Sequence, residues 1–213
     1  MKTDDLIAML ATGTTAVDRS GDARRNAAQL VLGAALALVL TWALFGPRSD
    51  LAEAVVLPMF SFKLLFTASL AGASLWALHR LAVPGSPTRR LPLAVAVPVL
   101  VVWAGAVLAL FTTQRDTWNA QLMGSSWAQC PLNIALLAVP ALWLTLHGLK
   151  NAAPIHLRSA GAAAGLFAGA VAAFAYTWHC PEMGVPFLAV WYVLGMATPT
   201  AVGACLGPRV LRW

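Results

Sequence analysis

The sequence predicts an all-α membrane protein, a six-transmembrane-helix bundle with a short soluble N-terminal helix. Three observations predict this fold class. Of the 213 residues, 60% are hydrophobic and 10% are charged, whereas soluble domains have roughly 45–50% apolar and about 25% charged residues. The charges fall in short segments that separate long charge-free runs. The basic residues are concentrated in alternate connections between these runs.

Each charge-free run is long enough to form one membrane span. A helix needs roughly 17–25 mostly apolar residues to cross the hydrocarbon core. Five runs meet this length directly, and the run at 64–79 meets it when extended back through Lys63 to Phe60. The predicted spans are 27–46, 58–79, 91–113, 127–148, 158–178 and 186–207. Their short connections predict one antiparallel bundle at 27–213, preceded by a separate segment at 1–26.

The distribution of Lys and Arg predicts the orientation. Eleven of the fourteen basic residues lie in the N-terminal segment, after spans two and four, or at the C-terminus, and only Arg48, Lys63 and Arg115 lie on the other side. Basic residues favour the cytoplasmic side, so both termini are expected to be cytoplasmic. The net charge of +6 then reflects contacts with anionic lipid headgroups, and direct nucleic-acid binding is not expected. The first 26 residues contain no apolar core of a signal peptide.

The N-terminal segment contains a short amphipathic pattern. Thr3 is a predicted N-cap, with Asp4 and Asp5 in the first turn, and Gly13, Thr14, Thr15, Ser20 and Gly21 predict a flexible tether. A helix this short is marginal alone and typically becomes ordered in a groove of a partner. An alternative is that it lies on the membrane surface or on its own bundle. The candidate partner-binding residues are Thr3, Asp4, Asp5, Leu6, Ile7, Met9 and Leu10.

Two of the three cysteines are predicted to lie at the same membrane depth. Cys130 begins span four and Cys180 follows span five on the outer side, whereas Cys205 lies near the opposite face. Three interpretations remain open: a structural disulfide, a soft-metal site and a redox switch. The possible auxiliary metal ligands are His179, Glu182 and Met183. A Cys-x-x-Cys or zinc-finger spacing is absent from the sequence, so its support for a metal site is weak.

Two further features lie inside predicted spans. Lys63 is an intramembrane charge, which is by default a functional candidate, but its side chain is expected to extend to the interface and pair with Asp50 or Glu53. Span five carries Gly161, Gly165 and Gly169 at intervals of four residues. Such a stripe allows close approach of another helix, and packing within the chain is favoured over a dimer interface.

Several motifs resemble the NrsF family of membrane-embedded negative regulators of extracytoplasmic-function sigma factors in proteobacteria. They are the opening Met1-Lys2-Thr3-Asp4-Asp5-Leu6-Ile7, Arg48-Ser49-Asp50, Lys63, residues 127–134 and 178–183, Pro186-Phe187, Trp191-Tyr192 and Gly207-Pro208-Arg209. The resemblance implies an anti-sigma factor of the bacterial inner membrane whose N-terminal segment sequesters a sigma factor. It also implies that Cys130 and Cys180 take part in sensing metal or oxidative stress, with a soft metal ion as a possible signal.

Two other function classes compete with this interpretation. A small transporter or channel is expected to carry polar residues at mid-membrane or repeated halves. Spans three to six carry almost no such residues, and the sequence shows no half-to-half repeat. A membrane thiol-redox protein is expected to have a second thiol pair or cofactor ligands, which the sequence lacks. A catalytic triad, a carboxylate pair and a glycine-rich phosphate loop are all absent from the sequence, so the protein is not expected to be an enzyme.

Overall fold

The computed structural model describes residues 3–12, 19–83, 85–150, 152 and 154–212. This part of the chain is built from helices and their connections and contains no strand. The helices are α1 (Thr3–Ala11), α2 (Arg19–Leu44), α3 (Leu51–Ala54), α4 (Pro58–Ala82), α5 (Leu91–Phe111), α6 (Trp118–Met123), α7 (Gln129–Lys150), α8 (Leu157–Tyr176), α9 (Val185–Phe187) and α10 (Val193–Val210). A 3₁₀ turn at Arg115–Thr117 precedes α6, and a π turn at Leu188–Tyr192 joins α9 to α10.

Six helices of the described chain are long and apolar enough to cross a membrane. They are Arg24–Leu44, Pro58–Ala82, Leu91–Phe111, Gln129–Lys150, Leu157–Tyr176 and Val185–Val210. The prediction of six helices of this length and hydrophobicity is therefore confirmed, and each boundary lies within three residues of the predicted one. The largest differences occur where polar residues extend a helix by part of a turn beyond its apolar stretch.

Helix α8 is the central element of the bundle. It packs against α2, α4, α7 and α10, and most of its residues are buried. Its sequence, LRSAGAAAGLFAGAVAAFAY, is dominated by alanine and glycine. Small side chains allow neighbouring backbones to approach closely and increase their van der Waals contact. Such contact matters in a membrane because the hydrophobic effect does not drive helices together in lipid.

The glycine stripe of α8 packs against α10. A methyl group added at Gly161 would overlap the carbonyl oxygen of Gly203, and one added at Gly165 would overlap that of Pro199. At Gly169 it would lie 2.9 Å from the ring of Pro199. The stripe is thus filled within the same chain, and the expectation of intramolecular packing is confirmed.

Loops from distant parts of the sequence meet at one end of the bundle, which we call the cysteine end. Arg48 N–H, between α2 and α3, donates to the carbonyl of Trp178, after α8, at 3.3 Å. The connection between α6 and α7 reaches the same place, since Ser125 contacts Glu182. At the opposite end, Gln29 of α2 lies beside Gly148 of α7.

Helix α1 has no buried residue. It begins at Thr3, so the predicted N-cap is instead the first helical residue. Helix α2 begins at Arg19, and Ser20 and Gly21 therefore lie in helical backbone rather than in the predicted tether. The remaining tether residues Gly13, Thr14 and Thr15 lie outside the described residues.

Gly165→Ala is expected to lower the free energy of unfolding by about 1–3 kcal/mol, because its methyl group forces α8 and α10 apart. Thermal unfolding in detergent measures this effect. Gly72→Ala is the matched control, since the space beside Gly72 in α4 is open, and its stability is expected to be unchanged or slightly raised. Equal stability of the two variants, with loss of a dimer in Gly165→Ala alone, would show that the stripe serves self-association.

Candidate functional site

The thiols of Cys130 and Cys180 lie together in the interior of the cysteine end. Cys130 is in the first turn of α7, where its N–H donates to the carbonyl of Ser126 at 2.9 Å. Cys180 closes the turn after α8, its N–H donating to the carbonyl of Tyr176 at 2.9 Å. Both cysteines are 0% exposed, and their side chains are close enough to hydrogen-bond. Both are free thiols in this structure.

Prolines help to place these cysteines. Pro131 lies in the first turn of α7, where backbone N–H groups have no intrahelical acceptor, so its missing donor costs nothing. Pro181 follows Cys180 and disfavours helical geometry at the preceding residue. The chain consequently leaves α8 and turns back across the cysteine end before α9 begins.

Lys63 is fully enclosed, with 1% of its surface exposed. Its Nζ donates to the carbonyl of Glu182 at 2.9 Å and contacts that of Cys180 at 3.4 Å. It also lies 4.8 Å from the centre of the Tyr192 ring, in cation–π geometry. The expected pairing of Lys63 with Asp50 or Glu53 is therefore wrong. Backbone carbonyls of the loop after α8 satisfy the ammonium group from inside.

Asp50 is instead paired with Arg48. The guanidinium donates through Nε and Nη2 to both carboxylate oxygens, each at 2.6 Å. These hydrogen bonds hold the pKa of Asp50 below its usual value. Arg48 Nη1 also lies 3.4 Å from the carbonyl oxygen of Cys180. Two cations thus converge on the backbone of one cysteine.

Glu182 joins two loops of the cysteine end. Its carboxylate accepts hydrogen bonds from the N–H and hydroxyl of Ser125, at 2.7 and 2.6 Å, and lies 3.4 Å from the Ser126 hydroxyl. Desolvation raises the pKa of Glu182, but the hydrogen bonds from both serines outweigh it, and the net pKa is lowered. Gly124 makes room for this carboxylate with φ +54°, and an added methyl group would lie 2.6 Å from it.

Cys180 has an environment that favours its anionic form. Its pKa is lowered, most strongly by the hydrogen bond with Cys130 and further by the charge of Lys63 and by Tyr192. Together these outweigh desolvation, which raises the pKa. The Tyr192 hydroxyl is buried near Cys180 but makes no well-aligned hydrogen bond. The π turn at Leu188–Tyr192 carries this ring into the site, and such turns are frequent at functional positions.

The three predicted auxiliary ligands do not gather around the thiols. His179 Nδ1 lies 3.0 Å from the carbonyl oxygen of Gly46, Glu182 is held by serines, and Met183 is partly exposed. Within the described residues, no group of three or more His, Cys, Asp and Glu side chains could hold a metal ion. The arrangement fits a thiol pair better than a metal centre with several protein ligands.

The other predicted site is exposed throughout. In α1, the side chains of Leu6, Ile7, Met9 and Leu10 are 41–66% exposed, and Thr3, Asp4 and Asp5 are exposed as well. Thus the thiol pair is enclosed, whereas no residue of α1 is buried.

Sequence reasoning assigned no role to Tyr192, Arg48 or Ser125. Arg48 and Tyr192 occur in motifs that carried the family resemblance, but the sequence shows no contact between them and the cysteines. Ser125 has no sequence signal at all, because its contribution is a loop N–H and a hydroxyl.

Comparisons with known proteins give a consistent result. The family described as NrsF, negative regulator of sigma F, matches residues 10–213. A protein of Azospira oryzae named probable anti-sigma-F factor NrsF is 47% identical over 213 residues, covering 100% of both chains. The anti-sigma-F factor NrsF of Caulobacter vibrioides is 39% identical over 219 aligned positions, again covering 100% of both. No solved structure matches the chain significantly.

Acidification is expected to weaken the cysteine end through Glu182. Because its pKa is lowered on folding, the carboxylate contributes stability above its ordinary pKa of 4.5, and that stability is lost as pH falls through the lower folded value. Between pH 6 and pH 3, the unfolding temperature of Glu182→Gln is expected to fall less than that of the parent chain. Thermal unfolding at each pH measures this difference. Glu53→Gln, at an exposed position of α3, is the control. Identical pH dependence in Glu182→Gln and the parent would contradict the prediction.

Proposed function

This chain belongs to the NrsF family of negative regulators of sigma F, a regulatory and non-enzymatic role, and from this premise we propose a specific mechanism. The protein is an inner-membrane anti-sigma factor that holds an extracytoplasmic-function sigma factor through its N-terminal segment. Oxidation of Cys130 and Cys180 on the periplasmic face releases the sigma factor. The family match along residues 10–213 is the observation that carries the proposal.

The proposed orientation rests on the basic residues. Along the sequence, eleven of fourteen lie in the N-terminal segment, after spans two and four, or at the C-terminus, and three lie in or beside the alternate connections. The positive-inside rule then puts both termini in the cytoplasm and the cysteine end in the periplasm. A sigma factor held by α1 is thereby kept at the membrane and away from RNA polymerase.

The exposure of α1 supports its role as the partner-binding element. Leu6, Ile7, Met9 and Leu10 form an apolar edge whose side chains are all exposed. An amphipathic helix of this kind binds by placing its apolar edge in a groove of a partner. Asp4 and Asp5 in the first turn stabilise the helix through its dipole.

In this mechanism the thiol pair is reduced at rest, and its burial supports that state. Protein thiol oxidants of the periplasm act by direct attack between sulfur atoms, which two 0% exposed cysteines do not permit. A small two-electron oxidant such as a hydroperoxide reaches the two thiols through local opening of the loop after α8. The two thiols then form a disulfide, and the hydroperoxide is reduced to alcohol and water.

In this mechanism the signal passes from the thiols through α7 to α2. Cys130 lies in the first turn of α7, and α7 packs closely on α2, where a methyl group at Gly33 would lie 3.0 Å from the Cα of Ala141. Helix α2 continues toward the N-terminal segment. A shift of about 1.4 kcal/mol between two bundle arrangements changes sigma-factor affinity tenfold.

Ile7→Glu or Leu10→Glu is expected to weaken sigma-factor binding at least about tenfold, because a charge enters the apolar edge. Co-purification from solubilised membranes measures retention of the sigma factor. Ala8→Glu, on the opposite face of α1, is the matched control and is expected to retain it. Because α1 has no buried residue, thermal unfolding of the bundle should not change in any of the three. Full retention by both edge variants would refute the assignment of α1.

Cys130→Ser and Cys180→Ser are each expected to hold the sigma factor but to lose its release by hydroperoxide, because neither can form the disulfide. The readout is the sigma factor remaining on the purified, reduced complex after treatment, with free thiols counted in parallel. Cys205→Ser, remote from the pair, is expected to respond like the parent chain.

Separate arms of the same experiment replace the hydroperoxide with Cu⁺ or Zn²⁺. Release of the sigma factor by a metal ion, with all free thiols recovered once the ion is removed, would contradict the oxidation trigger. It would favour a metal signal. Normal hydroperoxide release from both serine variants would exclude the thiol pair altogether.

A further inference from the structure

Lys63 is a buried cation whose direct partners are all neutral. Its ammonium group contacts the carbonyls of Glu182 and Cys180 and the Tyr192 ring. The ion pair in the described part of the chain joins Arg48 to Asp50. The carboxylate of Glu182 is directed at Ser125 instead. No carboxylate therefore neutralises Lys63 among the residues described.

A buried charge is stabilised when an opposite charge accompanies it. The titratable and charged groups that face the Cys180 thiol are Cys130, Lys63, Tyr192, Tyr176, Arg48 and Glu182. Of the groups that can supply a negative charge next to Lys63, thiols ionise more readily than phenols. The backbone carbonyl of Cys180 already contacts both Lys63 and Arg48, so both cations are held at the backbone of this cysteine.

We propose that Lys63 is the counter-ion of a Cys180 thiolate and thereby makes Cys180, rather than Cys130, the thiol that reacts first. The proposal rests on the oxidation-triggered release described above. Lys63 acts as a positioning residue, since it orients the loop through two carbonyls and stabilises the anion. The lowered pKa of Cys180 is consistent with this role.

The reaction that follows has two steps. The Cys180 thiolate attacks one oxygen of a hydroperoxide, so that an S–O bond forms, the O–O bond breaks and the leaving alkoxide takes a proton from solvent. The Cys130 thiol then attacks the sulfenic sulfur, an S–S bond forms, the S–O bond breaks, and water leaves with the thiol proton. Two electrons pass from the sulfur atoms to the peroxide.

The change of charge supplies a signal. The thiolate is negative and the disulfide is neutral, so oxidation leaves Lys63 without its counter-ion inside the bundle. The attraction between α4 and the loop after α8 is thereby weakened at the moment of oxidation. Helix α4 extends from Pro58 to Ala82, from the cysteine end to the opposite end of the bundle.

The test is a titration of thiolate absorbance in the full-length, reduced protein with Cys205→Ser as background. The spectrum of the same chain carrying Cys180→Ser is subtracted, which isolates the signal of Cys180. The titration is carried out on the parent chain, which has Lys63, and on the variants Lys63→Arg, Lys63→Gln and Lys63→Met. Thermal unfolding identifies the variants that are folded.

In the parent and in Lys63→Arg, the Cys180 thiolate is expected to form with a midpoint below the ordinary pKa of a cysteine thiol. Loss of the cation in Lys63→Gln and Lys63→Met is expected to raise the midpoint by at least about one pH unit, which is about a tenfold loss of thiolate at a pH below both midpoints. Lys63→Gln can still donate to the two carbonyls, so a purely structural role predicts no shift in it. An unchanged midpoint in folded Lys63→Gln, or a raised one in Lys63→Arg, overturns the proposal.

Hydroperoxide-dependent release, measured on the parent complex, separates this inference from the proposed function. Release without a Lys63-dependent midpoint contradicts only the role of Lys63. A Lys63-dependent midpoint without release contradicts the oxidation trigger and leaves the ion pair standing.

Discussion

The ammonium group of Lys63 lies 2.9 Å from the carbonyl oxygen of Glu182, inside a helix apolar enough to cross a membrane. Removing a lysine from water costs several kcal/mol unless its new surroundings replace the lost hydration. Carbonyls of the loop after α8, together with the face of Tyr192, provide that replacement. The loop in turn carries Cys180 to Cys130 and Glu182 to Ser125. One buried charge thus determines how the spans meet at the cysteine end.

The membrane spans could be predicted from the sequence because hydropathy and charge segregation depend on each residue's own chemistry. The shared depth of Cys130 and Cys180 followed from chain direction alone. The environment of Lys63 could not be predicted, since its acceptors are backbone carbonyls far along the chain. The sequence suggested Asp50 or Glu53 as its partner, but Arg48 binds both carboxylate oxygens of Asp50. Tyr192 enters the site through a π turn, which shifts the register of side chains in a way that helical periodicity does not reveal.

The two sites differ in the physical property that each function needs. The apolar edge of α1 is open to a partner, whereas the thiol pair is enclosed and so protected from thiol exchange with other proteins. The centre of the bundle, α8, is packed through glycines against α10. Close-packed interfaces of this kind favour discrete arrangements over gradual deformation. A change of bonding at one end can therefore alter the other end without unfolding the helices.

The account depends most on the two sites lying on opposite sides of the membrane. Cysteines introduced one at a time at Ala8 of α1 and at the exposed Ala128 before α7, in a background with Cys130, Cys180 and Cys205 all replaced by serine, allow a direct measurement with a membrane-impermeant maleimide. Labelling of Ala128→Cys in intact spheroplasts, with labelling of Ala8→Cys only after lysis, is the predicted result. Labelling of both positions in intact spheroplasts, or of neither until lysis, would contradict the account.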